Sequence, residues 1–311
     1  MARYLVTGGA GFIGSHLVDA LIADGHTVRV LDDMSTGKYE NLANTVDLRI
    51  ADVADQGAVR NALDGVDGCF HLAAIASVER GHQEWSRAHH VNLAGTIHIF
   101  EEARRLRAHT GRLLPVVYAS SAAVYGDPTE VPISECAPTN PVNAYGVDKL
   151  GCDLHAAVGS RVHGLGIIGL RFFNVYGPRQ DARSPYSGVI SVFCERISKG
   201  LPVDVHGDGK QVRDFVFVKD TVEALRLAMR SAADHTSAVF NVCSGVGTAI
   251  IELANAVARI KRKPFSPNYV SRRLGDIRVS VGNPALAQAQ LGFRTHISLE
   301  EGLARTLEWL D

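Results

Sequence analysis

Short apolar runs alternate with helical stretches through the first half of the chain. Tyr4–Thr7, Thr27–Leu31, Asp47–Ile50, Gly68–Leu72 and Leu114–Tyr118 read as strands, several of them too apolar to leave one face in water. Strands buried on both faces and separated by helices predict a parallel α/β sheet. Ile13, Leu17 and Leu21 recur at i, i+4 and i+8, with Val18 and Ile22 beside them, so the first connection is a helix. Gly25 ends it at the position where a positive φ is tolerated. A second helix is expected over 143–163 and a sixth strand over 166–171. After about residue 175 the pattern loosens into loops and short helices, punctuated by Gly200, Pro202, Gly207 and Gly209. We expect two units, residues 1–175 (with a return segment near 212–245) and mainly 176–311, packed on each other around a cleft.

Composition narrows the function classes. Across 311 residues, 32 Lys+Arg nearly cancel 33 Asp+Glu, which argues against a protein built to coat nucleic acid or an anionic membrane. With 46% hydrophobic and 21% charged residues the chain is globular, yet no apolar run approaches the ~20 residues of a membrane span. The N-terminus enters a Gly-rich turn at once, so we expect no signal peptide. The five Cys are scattered without a CxxC pair and the His lack metal-ligand spacing, so we expect reduced thiols, a cytoplasmic location and no metal.

The first strand is followed by Thr7-Gly8-Gly9-Ala10-Gly11-Phe12-Ile13-Gly14, a G-x-x-G-x-x-G spacing. Glycines there allow a tight turn and close backbone approach to a pyrophosphate, which rests on the N-terminus of the next helix. Asp32 and Asp33 end the second strand about 20 residues on, where a carboxylate accepts from adenosine ribose hydroxyls and repels a 2′-phosphate. No Arg stands at the adjacent positions, so NAD is favoured over NADP. Asp52-Val53 stands either at the adenine or in a plain strand-end turn.

Tyr145 and Lys149 are spaced i, i+4 and share one helix face. A free Tyr, with a pKa near 10, is a poor base at neutral pH. An ammonium and a cationic nicotinamide ring both stabilise its phenolate, and roughly 4 kcal/mol would bring it to neutrality. Upstream, Ala119-Ser120-Ser121-Ala122-Ala123-Val124-Tyr125-Gly126 carries hydroxyls off a strand end into the same cleft.

In order, TGGAGFIG (7–14), LDD (31–33), HLAA (71–74), SSAAVYG (120–126), YGVDK (145–149), RFFNVYGPR (171–179), GDGKQVRDF (207–215) and RLGD (273–276) resemble the extended short-chain dehydrogenase/reductase family, specifically its nucleotide-sugar epimerases. The resemblance spans nearly the whole chain. It implies a Rossmann-type doubly wound parallel sheet holding NAD and a smaller C-terminal α/β domain gripping an NDP-sugar. Carried over, Tyr145 is the base for the O4 proton, Lys149 its cationic partner and Ser121 the hydroxyl on O4, with Ser120 structural. The cofactor would meet Gly8, Gly11, Phe12, Ile13, Gly14, Asp32, Asp33, Ser35, Gly37, Asp52, Val53, Leu72, Ala73, Ala74 and Asn92, besides Tyr145 and Lys149.

Relatives that dehydrate the sugar have Asp-Glu where this chain has Ala122-Ala123, and decarboxylating relatives tend to have Glu at the second position. Elimination needs an acid and a base there, which two alanines do not supply. C4 epimerisation of a UDP-hexose remains, through transient oxidation to a 4-keto sugar. For the substrate, the resemblance implies Asn174, Arg213 and Arg273 on the diphosphate, Asp276 on the nucleotide ribose and Val189 at the diphosphate and base. At Val205-His206, the His either stacks on uracil or is a solvated loop residue. Ser280 stands where hexose-specific relatives carry a pocket-closing Tyr, leaving room for a 2-acetamido group, so UDP-Glc/UDP-Gal and UDP-GlcNAc/UDP-GalNAc both fit. Ala76 replaces a Lys of some relatives, with Ser77 nearer the sugar. Alternatives are a UDP-glucuronate 4-epimerase, an NDP-4-keto-sugar reductase, or a non-catalytic NAD- or sugar-sensing protein. The resemblance further implies a homodimer through helices at roughly 85–107 and 144–163. A Val91, Ala94, Ile97, Phe100 stripe there is placed either at the interface or against its own sheet.

Overall fold

The structure, a computed structural model, describes residues 1–76, 83–181, 188–234, 238–272 and 276–311. Its main sheet has seven strands, all parallel: β1 Arg3–Thr7, β2 Thr27–Asp32, β3 Asp47–Ile50, β4 Gly68–His71, β5 Val116–Ser121, β6 Ile167–Phe172 and β10 Ala238–Val242. Their order, β10-β6-β5-β4-β1-β2-β3, runs outward one way from β1 and then resumes at β4 on its other side. That reversal places a crevice beyond the C-terminal ends of β1 and β4.

Except for β3, an exposed edge strand, the apolar runs read as strands are largely buried on both faces because successive side chains go to opposite layers. Val6, Phe70 and Val117 pack with Leu17 of α1 (Phe12–Ala23) and Leu225 of a later helix. Leu5, Cys69 and Val116 pack the other way, with Val59 of α2 (Gln56–Leu63) and with Ile99 and Cys152. α1 is C-capped by Asp24, and Gly25 follows with φ 81°, as the sequence predicts. α3 (Trp85–His89) continues through a π turn, His90–Ala94, into α4 (Gly95–Thr110). The helix expected over 143–163 is α5, Ala144–His163, and Asn143 is its N-cap, with Oδ1 accepting from Gly146 N at 2.8 Å.

Beyond residue 175 the expectation of loops and short helices is wrong. β7 (Asn174–Tyr176) and β9 (Val212–Phe217) pair parallel, flanked by β11 (Gly247–Ala249) and β13 (Val279–Ser280), while β8 (Val203–His206) pairs β12 (Pro267–Val270). Helices α6 (Val189–Ser198), α7 (Val218–Ala233) and α8 (Ile250–Lys261) are amphipathic. In α7 the buried Val218, Val222, Leu225 and Met229 repeat at i, i+4, i+7 and i+11, a signal hidden by the glycines before it. The second lobe has its own core of Ile190, Phe193, Val205, Phe215, Leu253 and Leu303.

Candidate active site

The ends of β1, β2, β4, β5 and β6 line a cavity of about 460 Å³ that reaches the second lobe at Asn174 and Gly188. Its floor is the glycine turn. A Cβ on Gly8 (φ 67°) would sit 2.8 Å from Ala73 N, and one on Gly14 only 2.1 Å from Gly8 O, so both positions admit no side chain. α1 starts beyond Gly11 with no side-chain cap and no acidic residue in its first turn. Open N–H groups behind a cradle of glycine fit a pyrophosphate. Phe12 and Ile13 line the same stretch.

At the end beside β2 and β3, the cavity is walled by Asp33, Ser35, Asp52 and Val53. Asp32 is buried, its Oδ2 accepting from Ala10 N (2.9 Å) and Oδ1 from Met34 N (3.0 Å). Burial raises its pKa, and the two N–H groups oppose that rise. Asp33 is exposed and accepts from Ser35 N and Oγ at 3.0 and 2.6 Å. Gly37 does not line the cavity; a Cβ there would fall 2.7 Å from Asp32 Oδ1, so it is a packing position behind that carboxylate. Although no Arg neighbours Asp33 in sequence, Arg87 of α3 reaches this end in space.

Beside β4 the lining backbone of Leu72, Ala73 and Ala74 is held by groups that sequence reading passed over. Thr7 Oγ1 accepts from Leu72 N and Ala73 N, both at 3.1 Å, and lies 2.8 Å from His71 Nδ1. His71 Nε2 is 3.0 Å from Thr96 Oγ1, which donates to Asn92 O. Asn92 does not line the cavity: it is fully buried, with its amide engaged by Ile75 N (2.7 Å) and Ile75 O (3.2 Å). It shapes the wall through Ile75. Burial, with Lys149 nearby, pushes the His71 pKa down to about 3. The unfolded chain then binds the extra proton between about pH 6.5 and 3, so stability should fall on acidification through that window. His71→Gln should lose less stability than the parent between pH 7 and 5, by up to about 2 kcal/mol in urea melts; equal losses would contradict this.

Ser120, Ser121, Tyr145 and Lys149 all line the cavity. Ser121 Oγ accepts from Ala123 N at 3.1 Å, capping a short turn and leaving its hydroxyl proton to donate. Gly146 lets α5 pack on that turn, since a Cβ there would be 2.6 Å from Ala123 O. This close packing sets the start of α5, with Tyr145, against the turn that Ser121 caps, and both residues line the cavity. Lys149 is buried, donates to Ala119 O at 2.8 Å and stands 5.8 Å from the Tyr145 ring centre. Ser120, expected to be structural, has a buried Oγ with no hydrogen-bond partner among the described residues.

The substrate candidates divide. Asn174 lines the cavity, and Val189 opens α6 next to the lining Gly188. Arg213, Asp276, His206 and Ser280 do not line it but stand in the second lobe, tied to it through β7, where Asn174 is paired with Phe215. Ser280 pairs with Arg213 across β13 and β9, and Arg213 Nη2 donates to Asp276 Oδ1 at 2.5 Å. His206 is half-buried, its Nδ1 3.0 Å from Ser271 O. Val205 is wholly inside the lobe's core, so its side chain is not a ligand contact. Ser77 and Arg273 lie outside the described residues. Among the described residues no cluster of three His, Cys, Asp or Glu could hold a metal ion, and no helix is long and apolar enough to cross a membrane.

Residues 4–243 match the NAD dependent epimerase/dehydratase family. The chain belongs to that family. Within it, the chain is 37% identical to the UDP-glucose 4-epimerase of Mycolicibacterium smegmatis, over 99% of its own length and 98% of the relative's. Among solved structures it resembles the Thermotoga maritima UDP-glucose 4-epimerase crystallised with UDP-glucose (TM-score 0.92, 35% identity, 99% and 98% of the two chains). It is equally similar to the UDP-N-acetylglucosamine 4-epimerase of Methanobrevibacter ruminantium in complex with UDP-N-acetylmuramic acid (TM-score 0.92, 34% identity, 99% and 98%). This epimerase-family chain is an NAD-dependent isomerase of the nucleotide-sugar 4-epimerase kind, and its glycine cradle, uncapped α1 and unpartnered Ser120 hydroxyl fit that cofactor.

Proposed function

We propose that the protein epimerises UDP-hexoses at C4, acting on UDP-Glc/UDP-Gal and on UDP-GlcNAc/UDP-GalNAc, with Tyr145 as the base. The carrying observation is the meeting of Tyr145, Lys149 and Ser121 at one cavity, with only Ala122 and Ala123 where elimination would need an acid and a base. Bound NAD supplies a reversible hydride acceptor for C4. Lys149 stabilises the Tyr145 phenolate, which takes the O4 proton while Ser121 holds O4; the resulting phenol gives the proton back to O4 when the ketone is reduced. A freely turning 4-keto sugar presents either face on its return, which inverts C4. Residues 1–175 with the 212–245 return form the NAD-binding unit in this reading, and 176–311 mainly grip the UDP-sugar.

Ser280 sets the breadth of substrate, beside Arg213 and Asp276 as diphosphate and ribose partners. Ser280→Tyr should depress kcat/KM for UDP-GlcNAc at least about tenfold more than for UDP-glucose. Equal effects on both sugars would remove the open-pocket reading.

The protein works as a cytoplasmic homodimer in this proposal. Its five cysteines are unpaired, as in a reducing compartment. Of the Val91, Ala94, Ile97, Phe100 stripe, Val91 and Phe100 pack inside their own chain while Ala94 and Ile97 are half-buried, so this reading places the interface on α5 instead. On α5, Val147, Leu154, Val158 and Val162 form one face and are each more than half exposed, an apolar stripe that water alone does not favour. Leu154→Glu should turn a dimer into a monomer by sedimentation velocity; a parent chain that is already monomeric would refute the dimer.

A further inference from the structure

We propose that Arg87 is a clasp over the adenosine end of the NAD site, a positioning residue that sets how tightly the cofactor is kept. Arg87 lies on α3, outside the glycine turn and outside the Tyr145–Lys149 helix. Its Nη2 donates to Asp52 Oδ2 and stands 3.9 Å from Asp33 Oδ2. Asp33 and Asp52 follow different strands, β2 and β3, and both wall the cavity. One guanidinium therefore ties together the two strand ends between which a Rossmann-type sheet seats adenosine. Both contacts run through the one nitrogen Nη2, so the bridge is carried by a positive charge set between two carboxylates rather than by a bidentate fork.

Two further contacts make the clasp more than a loose surface pair. Asp52 is already oriented by Ala54 N, which donates to Oδ1 at 2.8 Å, and Asp33 by Ser35, so Arg87 meets fixed carboxylates. Two residues on, His89 Nδ1 lies 2.8 Å from Asp148 Oδ1, and Asp148 is buried on α5 directly before Lys149. The short helix α3 is thus anchored to the catalytic helix through His89 and to the adenosine wall through Arg87, two residues apart. With the cation removed, two carboxylates face each other across the adenine seat and the wall is free to open.

The inference rests on adenosine being seated between β2 and β3, so the test probes that end separately. NAD-depleted protein and its Arg87→Gln and Arg87→Lys variants would be titrated with NAD, ADP-ribose and 5′-AMP by equilibrium dialysis, at low salt and at about 0.5 M salt. We expect Arg87→Gln to weaken NAD and ADP-ribose alike by roughly tenfold, with Arg87→Lys between it and the parent. The difference should shrink at high salt, which a purely steric role would not produce. UDP binding should be unchanged, and circular dichroism should report the parental fold. If 5′-AMP competes with NAD but Arg87→Gln binds NAD as tightly as the parent, the clasp is wrong and the seat stands. If 5′-AMP fails to displace NAD from the parent, the adenosine seat and the clasp fall together.

Discussion

Replacing Tyr145 with Phe is expected to lower kcat by roughly 10²–10⁴-fold, the range of a positioned proton-transfer group. The substitution deletes one hydroxyl from a half-buried side chain and leaves its ring beside Lys149. Melting temperature and NAD content should stay near the parent's, so the loss reads as chemistry. Initial rates with UDP-glucose at saturating substrate measure it, together with the cofactor absorbance of the purified variant. A Phe variant retaining more than about a tenth of the parental kcat would remove Tyr145 from the role of base.

The second large effect lies beneath the site. Asp153 and Arg171, both buried, form an ion pair at 2.9 Å between α5 and β6. Asp153 also accepts from Tyr118 Oη at 2.8 Å, and Arg171 donates to Tyr125 Oη (2.8 Å) and Glu135 O (3.2 Å). Tyr125 Oη in turn donates to Asn241 Oδ1 at 2.7 Å, so the network spans β5, β6, β10 and the helix carrying Tyr145. Asp153→Ala strands a buried guanidinium and a buried phenol, which should cost about 3–5 kcal/mol and lower the melting temperature by roughly 10 °C. Asp153→Asn keeps an acceptor and should lose less. Calorimetry that finds Asp153→Ala within about 1 kcal/mol of the parent would mean the network relaxes to water.

The contrast between these two sites explains what could be read beforehand. Gly8, Gly14 and the Tyr145–Lys149 pair are legible because they stand at short, fixed spacings along the chain. The strands of the first half are legible as apolar runs whose alternate side chains enter two different cores, as Leu5 and Val6 do. The second lobe hides because its strands are short: β7 has three residues and β13 two, too few for an alternation to show. Contacts that bridge distant segments are equally invisible. Asn92 meeting Ile75, Thr7 meeting His71 and Arg87 meeting Asp52 join residues 17, 64 and 35 positions apart, and only the sheet's topology brings them together. Asp32 and Asp33 are adjacent in sequence and look alike, yet one is buried under two backbone N–H groups and the other faces out.

The most direct test is proton NMR of the purified protein with UDP-glucose, and separately with UDP-GlcNAc, without added cofactor. C4 epimerisation on retained NAD predicts that the axial epimer appears, seen in the altered H3–H4–H5 couplings, and approaches an equilibrium mixture with both sugars. If neither sugar changes even after NAD is supplied, neutral-sugar C4 epimerisation by Tyr145, Ser121 and Lys149 is contradicted.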